Sequence, residues 1–379
     1  MHACLLYTGK LTRRASRGDI VRGTIRPVAK LMTPEPENRR FSLRDIARQL
    51  GVSHAAVSMA LRDSPRISAP LKEKIRKYAE QVGYRPDPML TALASYRQSK
   101  SNPAIQAAIA WVNAWPEPGN LRTYREFDAY WHGASAAAEK FGYRLEEFRV
   151  GRECSPKRLH QILSTRGIRG LLLPPHQVQP DWGDFPWSSY SLVRFGRSLG
   201  EPHTHLVTAD QVANAMLAIR EILKRGYRRV GLVTEAKRLH ESGHLFEGGY
   251  LLAQRSVPDG DRVPVLALGA SSTSERAKAI AAWIKKQKVE AIFTDVAEVP
   301  ELLKKQGIRI PDDVALAVTS VLDAQADAGI DQHPEEIGRV GLLMLNSLIN
   351  DGARGIPEIF RQILVEGSWV DGSTLPDRR

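Results

Sequence analysis

Between residues 42 and 62 apolar side chains recur at three- and four-residue intervals: Ile46, Ala47 and Leu50, then Val57 and Leu61. That period is helical, and Gly51 interrupts it, so the stretch reads as two short amphipathic helices joined by a turn. Ser42 is placed to cap the first helix, with Asp45 three residues on. Glycine suits a helix end because it takes left-handed backbone without a Cβ penalty. Ser53 then caps a second helix from about His54 to Arg62. Ala47, Val52, Val57 and Leu61 are the expected small core, holding the two helices at a steep angle. Such a pair is a helix-turn-helix, which lays its second helix in the DNA major groove. A helical hairpin that touches no DNA has the same local pattern. A third helix is predicted from Ser68 to Gly83, with Ser68 as cap and Leu71, Ile75, Tyr78, Ala79 and Val82 as its apolar stripe. Asp87 followed by Pro88 opens a short fourth helix carrying Met89, Leu90 and Leu93.

Residues 1 to about 38 show neither helical nor strand period and read as a disordered basic arm. Two readings of it stay open: an arm adding weak phosphate contacts, or a true start at Met32. Beyond a polar linker the pattern alternates strand and helix. Strands are predicted at Ala107–Trp115, Arg144–Arg149, Ile168–Pro174, Ser189–Arg194, Arg229–Thr234, Val263–Leu268, Ala291–Thr294, Val314–Thr319 and Phe360–Glu366. The helices between them are Tyr124–Phe141, Ser155–Ser164, Val207–Arg225, Ser242–Gln254, Ser274–Gln287, Val299–Gln306 and Pro334–Asp351. This alternation calls for parallel sheets covered by helices on both faces.

Charge sharpens the picture. Residues 1–100 hold 20 Lys and Arg against 8 Asp and Glu, while the remaining 279 residues hold 34 of each. The whole formal excess of +12 therefore lies beside the helix-turn-helix. A local positive field is what a duplex-binding module needs, because phosphate neutralisation supplies most non-specific affinity. No run of 18 or more apolar residues is present, so no membrane span is predicted, and the first residues do not form a secretory signal. Cys4 and Cys154 are the only cysteines and have no metal-ligand spacing, which fits a reducing cytoplasm.

This order of elements resembles the LacI family of transcriptional regulators. The resemblance rests on Ile46 to Ser53, the Val57–Ser58 pair, the third helix and Gly83–Pro86. Further matches are Gly226–Val233, Ile310–Leu316, Ile330–Gly338 and Gly367–Thr374. It implies an α/β fold: a small all-α headpiece followed by two Rossmann-like subdomains of periplasmic-binding-protein type, joined by three crossovers. The expected divisions are 1–40 basic arm, 41–86 headpiece, 87–102 hinge helix and linker, and 103–379 effector-binding and dimerisation domain.

The resemblance also implies a function: a cytoplasmic regulator of repressor type, dimeric on a palindromic DNA operator and controlled by a small sugar-like effector bound between the subdomains. In such a headpiece His54 and Ala55 choose base pairs. Histidine reaches a base edge and alanine offers a methyl contact to thymine. Relatives often carry an arginine where this chain has Met59, which shifts weight to apolar contact and shape; Met59 as plain core is the other reading. Ser42, Leu43, Ser53, Ser58, Arg62, Ser68 and Tyr84 complete the expected DNA contacts, and Leu93 matches the family's minor-groove wedge. One headpiece reads a half-site, so two-fold symmetry predicts a homodimer.

Ligands of such folds lie at the carboxyl ends of strands. The expected effector contacts are Trp115, Tyr124, Phe127, Asp128, His244, Asp295 and Asp323. Many sugar-responsive relatives place an arginine where this chain has His244, which argues against a simple hexose. Nucleophile-elbow, zinc-protease and phosphate-loop motifs are all missing, so neither an enzyme nor a cofactor is expected. His240 and His244 are four apart without further ligands, so no metal is expected either. The alternative is a sugar-binding protein of the same fold that does not bind DNA.

Overall fold

The computed structural model describes residues 43–61, 67–82, 84, 107–152, 154–176, 178–237 and 244–378. Ser42, Arg62, Leu93, the basic arm and the fourth helix lie outside the described residues. Three helices come first: α1 (Leu43–Leu50), α2 (His54–Leu61) and α3 (Ala69–Gln81). Gly51, at φ +67°, ends α1, and the Val52 N–H donates back to the Ala47 carbonyl at 3.0 Å. The Ser53 hydroxyl accepts the Ala56 N–H at 3.1 Å and so caps α2. Ile46, Ala47, Val57, Ala60, Ile75 and Ala79 form the buried centre. Val52 and Leu61, expected inside, pack half-buried at its edge. Ala60, three residues after Val57, shares its face and takes the inner position. Ser68 stands at the cap position of α3, but its hydroxyl makes no capping bond. Pro70 in that first turn has removed one of the N–H groups a serine cap would take.

The strands, in chain order, are β1 (Ala107–Asn113), β2 (Tyr143–Arg149), β3 (Gly170–Leu173), β4 (Ser191–Phe195), β5 (His205–Ala209), β6 (Val230–Glu235), β7 (Leu266–Leu268), β8 (Ala291–Thr294), β9 (Ala315–Val318), β10 (Gly329–Asp331), β11 (Gln362–Val365) and β12 (Ser368–Val370). Between them run α4 (Arg125–Lys140), α5 (Pro156–Thr165), α6 (Gln211–Lys224), α7 (Leu245–Gln254), α8 (Thr273–Gln287), α9 (Val299–Lys305) and α10 (Pro334–Asp351). They build two six-stranded sheets, ordered β11-β5-β4-β3-β1-β2 and β12-β10-β9-β8-β6-β7. The first sheet is parallel throughout, and in the second only β12 runs antiparallel, against β10. The chain passes between subdomains after β5, after β10 and after β11, giving the three crossovers.

Residues 207–225 are not one helix, as the pattern suggested. His205–Ala209 is the fully buried strand β5, and α6 starts only at Gln211, where the Asp210 carboxylate accepts the Ala213 N–H at 3.0 Å. All five residues of β5 are buried, the polar His205 and Thr208 included, so no alternation separates strand from helix. The three-residue strands β10 and β12 were also missed; three residues are too few to show a strand's alternation.

Helices cover both faces of both sheets. On one face of the first sheet α4 and α10 pack Tyr130, Ala134, Leu342 and Leu345 over Trp111 and Phe195. The two helices touch through glycine: a Cβ at Gly133 would overlap the Glu335 carbonyl, and one at Gly338 would overlap that of Tyr130. On the other face α5 supplies Leu159 and Leu163 beside Trp182, Phe185 and Tyr190. In the second sheet α6 and α7 cover Leu232 and Phe293, while α8 and α9 cover Val233 and Leu316.

Candidate nucleic-acid interface and ligand cleft

His54 and Ala55 occupy the first turn of α2 and are exposed. The hydroxyl of Ser53 before them is engaged in the cap, which holds that turn in place. Met59, farther along α2, is half-buried. Leu43 and Tyr84 are half-buried against the headpiece core, and the Tyr84 N–H donates to Ala79 O at 2.9 Å. Ser68 is exposed at the start of α3, a helix that brings Lys72, Lys74, Arg76 and Lys77. The unit thus presents an outward helix amino-terminus on a cationic body, the arrangement that suits a phosphate-lined groove.

The candidate ligand site is built from strand ends and the start of α4. Trp115 follows β1 and is 3% exposed. Its indole N–H donates to Pro175 O at 2.7 Å, and its amide donates to Asn113 Oδ1 at 3.0 Å. The neighbouring Ala114 N–H donates to His176 Nε2 at 3.1 Å. Burial pushes the His176 imidazole down to about 4, so the ring is neutral and can accept that bond. The segments after β1 and β3 are therefore stitched together under the indole. Tyr124 lies against Trp115 with centroids 5.5 Å apart, and Phe127 is 5.4 Å from Tyr124. The run continues through Tyr130, 5.9 Å from Phe127, to Phe195. Its inner end is core, while Tyr124 at its outer end is 39% exposed.

Asp128, in the first turn of α4, accepts from Arg122 Nε at 2.6 Å and lies 3.2 Å from His132 Nε2. Asp323, after β9 in the other subdomain, accepts the N–H groups of Arg125 and Glu126 at 2.8 and 3.0 Å. The structure thus gathers Trp115, Tyr124, Phe127, Asp128 and Asp323 around the start of α4. Asp295 directly follows β8. His244 heads α7 with φ +59°, half exposed, its Nδ1 2.8 Å from Glu247 Oε2. The pattern did not single out His176 or Arg125. His176 sits just beyond a short apolar strand, where the strand-end rule would have pointed; nothing near Arg125 in sequence signals its partner.

Residues 42–87 match the family model described as bacterial regulatory proteins, lacI family. The repressor CytR of Escherichia coli K12 is 23% identical over 334 residues, covering 83% of this chain and 91% of CytR. The likeness to the LacI family thus rests on a headpiece match over residues 42–87 and a distant relative spanning most of the chain. GalS of Salmonella typhimurium is 24% identical over 211 residues, covering 55% of this chain but only 58% of GalS, less than two thirds of that relative. Both are named as helix-turn-helix transcriptional regulators, and the coarse class they support for this chain is a DNA-binding regulator. A solved CelR–cellobiose complex shares the fold at a TM-score of 0.53 and 18% identity, over 88% of this chain and all of that one. Among the described residues no helix is long and apolar enough to cross a membrane, and no group of three or more His, Cys, Asp or Glu is placed to hold a metal ion.

Proposed function

We propose that this chain is a sequence-specific transcriptional repressor that binds a palindromic operator as a homodimer and answers to a small sugar-like effector in the cleft. The observation that carries it is the capped α2, whose exposed first turn bears His54 and Ala55 on the chain's one strongly basic segment. His54 and Ala55 read base edges, and Met59 adds apolar contact. Ser42, Leu43, Ser53, Ser58, Arg62, Ser68 and Tyr84 set the register on the backbone, and Leu93 opens a minor-groove step at the operator centre. The reading keeps the divisions 1–40, 41–86, 87–102 and 103–379.

For the effector, Tyr124 and Trp115 supply an aromatic wall, with Phe127 behind, the Asp128 carboxylate in the first turn of α4, and those of Asp295 and Asp323 after β8 and β9. Apolar faces beside a few polar groups suit a sugar ring, which is hydrophobic on its C–H face and hydroxylated at its rim. His244 takes the place of a sugar-clamping arginine. The effector shifts one subdomain against the other and so changes operator affinity.

The test is selection of the purified full chain against a random duplex pool, followed by anisotropy titrations in a salt series with and without candidate sugars and sugar derivatives. Expected are a two-fold symmetric consensus, a dimer by light scattering and an affinity that falls steeply with salt. A monomer with no preference for any duplex over a competing polyanion would overturn the reading.

A further inference from the structure

Helix α4 begins on a residue that cannot cap it. Tyr124 holds the cap position in extended conformation and its side chain makes no capping bond. The first N–H groups of a helix have no acceptor within the helix, so those of Arg125 and Glu126 need one from elsewhere. They find it in the other subdomain: Asp323 Oδ1 accepts from Arg125 at 2.8 Å and Oδ2 accepts from Glu126 at 3.0 Å. The Arg125 guanidinium adds a third bond, to Leu322 O at 2.9 Å. A carboxylate at a helix amino-terminus also meets the positive end of the helix dipole.

The position of this contact gives it leverage. Each of the three crossovers leaves or enters the first sheet at one edge, through β5 or β11. β1, which leads into α4, lies four strand positions from β11 in its sheet. At the usual strand spacing that is about 19 Å, so a subdomain rotation of about 10° about that edge moves the contact by about 3 Å. Both hydrogen bonds are then lost. The contact is also easily released: Asp323 is exposed, and Glu126 and Asp128 place two more carboxylates in the same turn of α4.

We propose that Asp323 is an interdomain latch, which holds the ligand-free cleft shut and sets the balance between its open and closed states. Opening the cleft breaks the latch and returns the two amides to water. That such opening admits an effector rests on the function proposed above; the latch itself does not.

The test is amide hydrogen exchange, resolved to single residues, together with small-angle X-ray scattering on the full ligand-free chain. Wild type is compared with Asp323→Ala and Asp323→Asn. Expected is exchange at Arg125 and Glu126 at least about tenfold slower in wild type than in Asp323→Ala, with Asp323→Asn between them. A larger radius of gyration is expected for Asp323→Ala. Arg125→Ala, which removes only the bond to Leu322, should give a smaller shift in the same direction. Equal exchange in wild type and Asp323→Ala would overturn the latch. So would faster exchange with an unchanged radius of gyration, since Asp323 would then be a helix cap alone. Neither readout involves DNA or effector, so this proposal and the regulatory reading fail separately.

Discussion

Ile75 is fully buried at the point where α3 meets the first two helices. Its truncation measures how little holds the DNA reader together. The buried centre of the headpiece has six side chains, three of them alanine. Folded domains hold about 0.05–0.15 kcal/mol per residue, so a unit of about 40 residues has about 2–6 kcal/mol in hand. Cutting a buried isoleucine to alanine costs about 2–5 kcal/mol through lost transfer energy and a cavity, whereas Ile→Val costs about 1 kcal/mol. Ile75→Ala therefore brings the headpiece close to its unfolding midpoint, and Ile75→Val leaves it folded. On the proposed dimer both headpieces must be folded to grip a palindrome, so the competent fraction varies as the square. At the midpoint that is a loss of about fourfold in operator affinity, and more beyond it. The assay is DNA anisotropy read beside tryptophan fluorescence. All seven tryptophans lie at residue 111 or later, so their emission follows the α/β part and is blind to the headpiece. Expected are weakened DNA binding by Ile75→Ala, near wild-type binding by Ile75→Val, and one unchanged fluorescence melt for all three proteins. If Ile75→Ala binds duplex within about twofold of wild type, the headpiece is not marginal and the estimate of its stability is wrong.

Three other outcomes are expected. Asp327 accepts from the Ser373 N–H, the Ser373 hydroxyl and the Thr374 N–H at 2.8, 2.8 and 2.9 Å, tying the C-terminal tail to the second subdomain. Partial burial works to raise its carboxyl, but the Thr374 and Ser373 bonds outweigh this and hold it well below the usual carboxylate range. Because the folded-state value is depressed, this stabilisation is present above the unfolded value of about 4 and is lost as pH falls further. Asp327→Ala should cost about 1–2 kcal/mol at pH 7 in urea denaturation, the low end for charged hydrogen bonds because the group is exposed, and the gap to wild type should shrink below about pH 4. Gly338→Ala sets a methyl against the Tyr130 carbonyl and should cost about 3 kcal/mol by the same measurement, with Gly352→Ala costing less because its cost is backbone conformation alone. His54→Ala should lower affinity for the selected operator by about tenfold while leaving random-duplex affinity and its salt slope unchanged; equal loss on both would remove His54 from base reading.

Residues near each other in sequence were enough to predict the headpiece helices, because their determinants are local. Gly51 ends one helix by its left-handed backbone, Ser53 caps the next three residues later, and an apolar face recurs every turn. Most of the alternating strands and helices were legible for the same reason. Elements without a local signature were not. β5 was absorbed into a helix because it is short and buried on both faces, and β10 and β12 exist only because neighbouring strands supply their hydrogen bonds. The same divide runs through the candidate ligand site. Its aromatic wall follows from residues 115–127, but the acceptor for the first amides of α4 lies 197 and 198 residues away. An unmet N–H group at a helix start leaves no mark in the sequence that says where its partner is, and only the packing of one subdomain against the other chose Asp323.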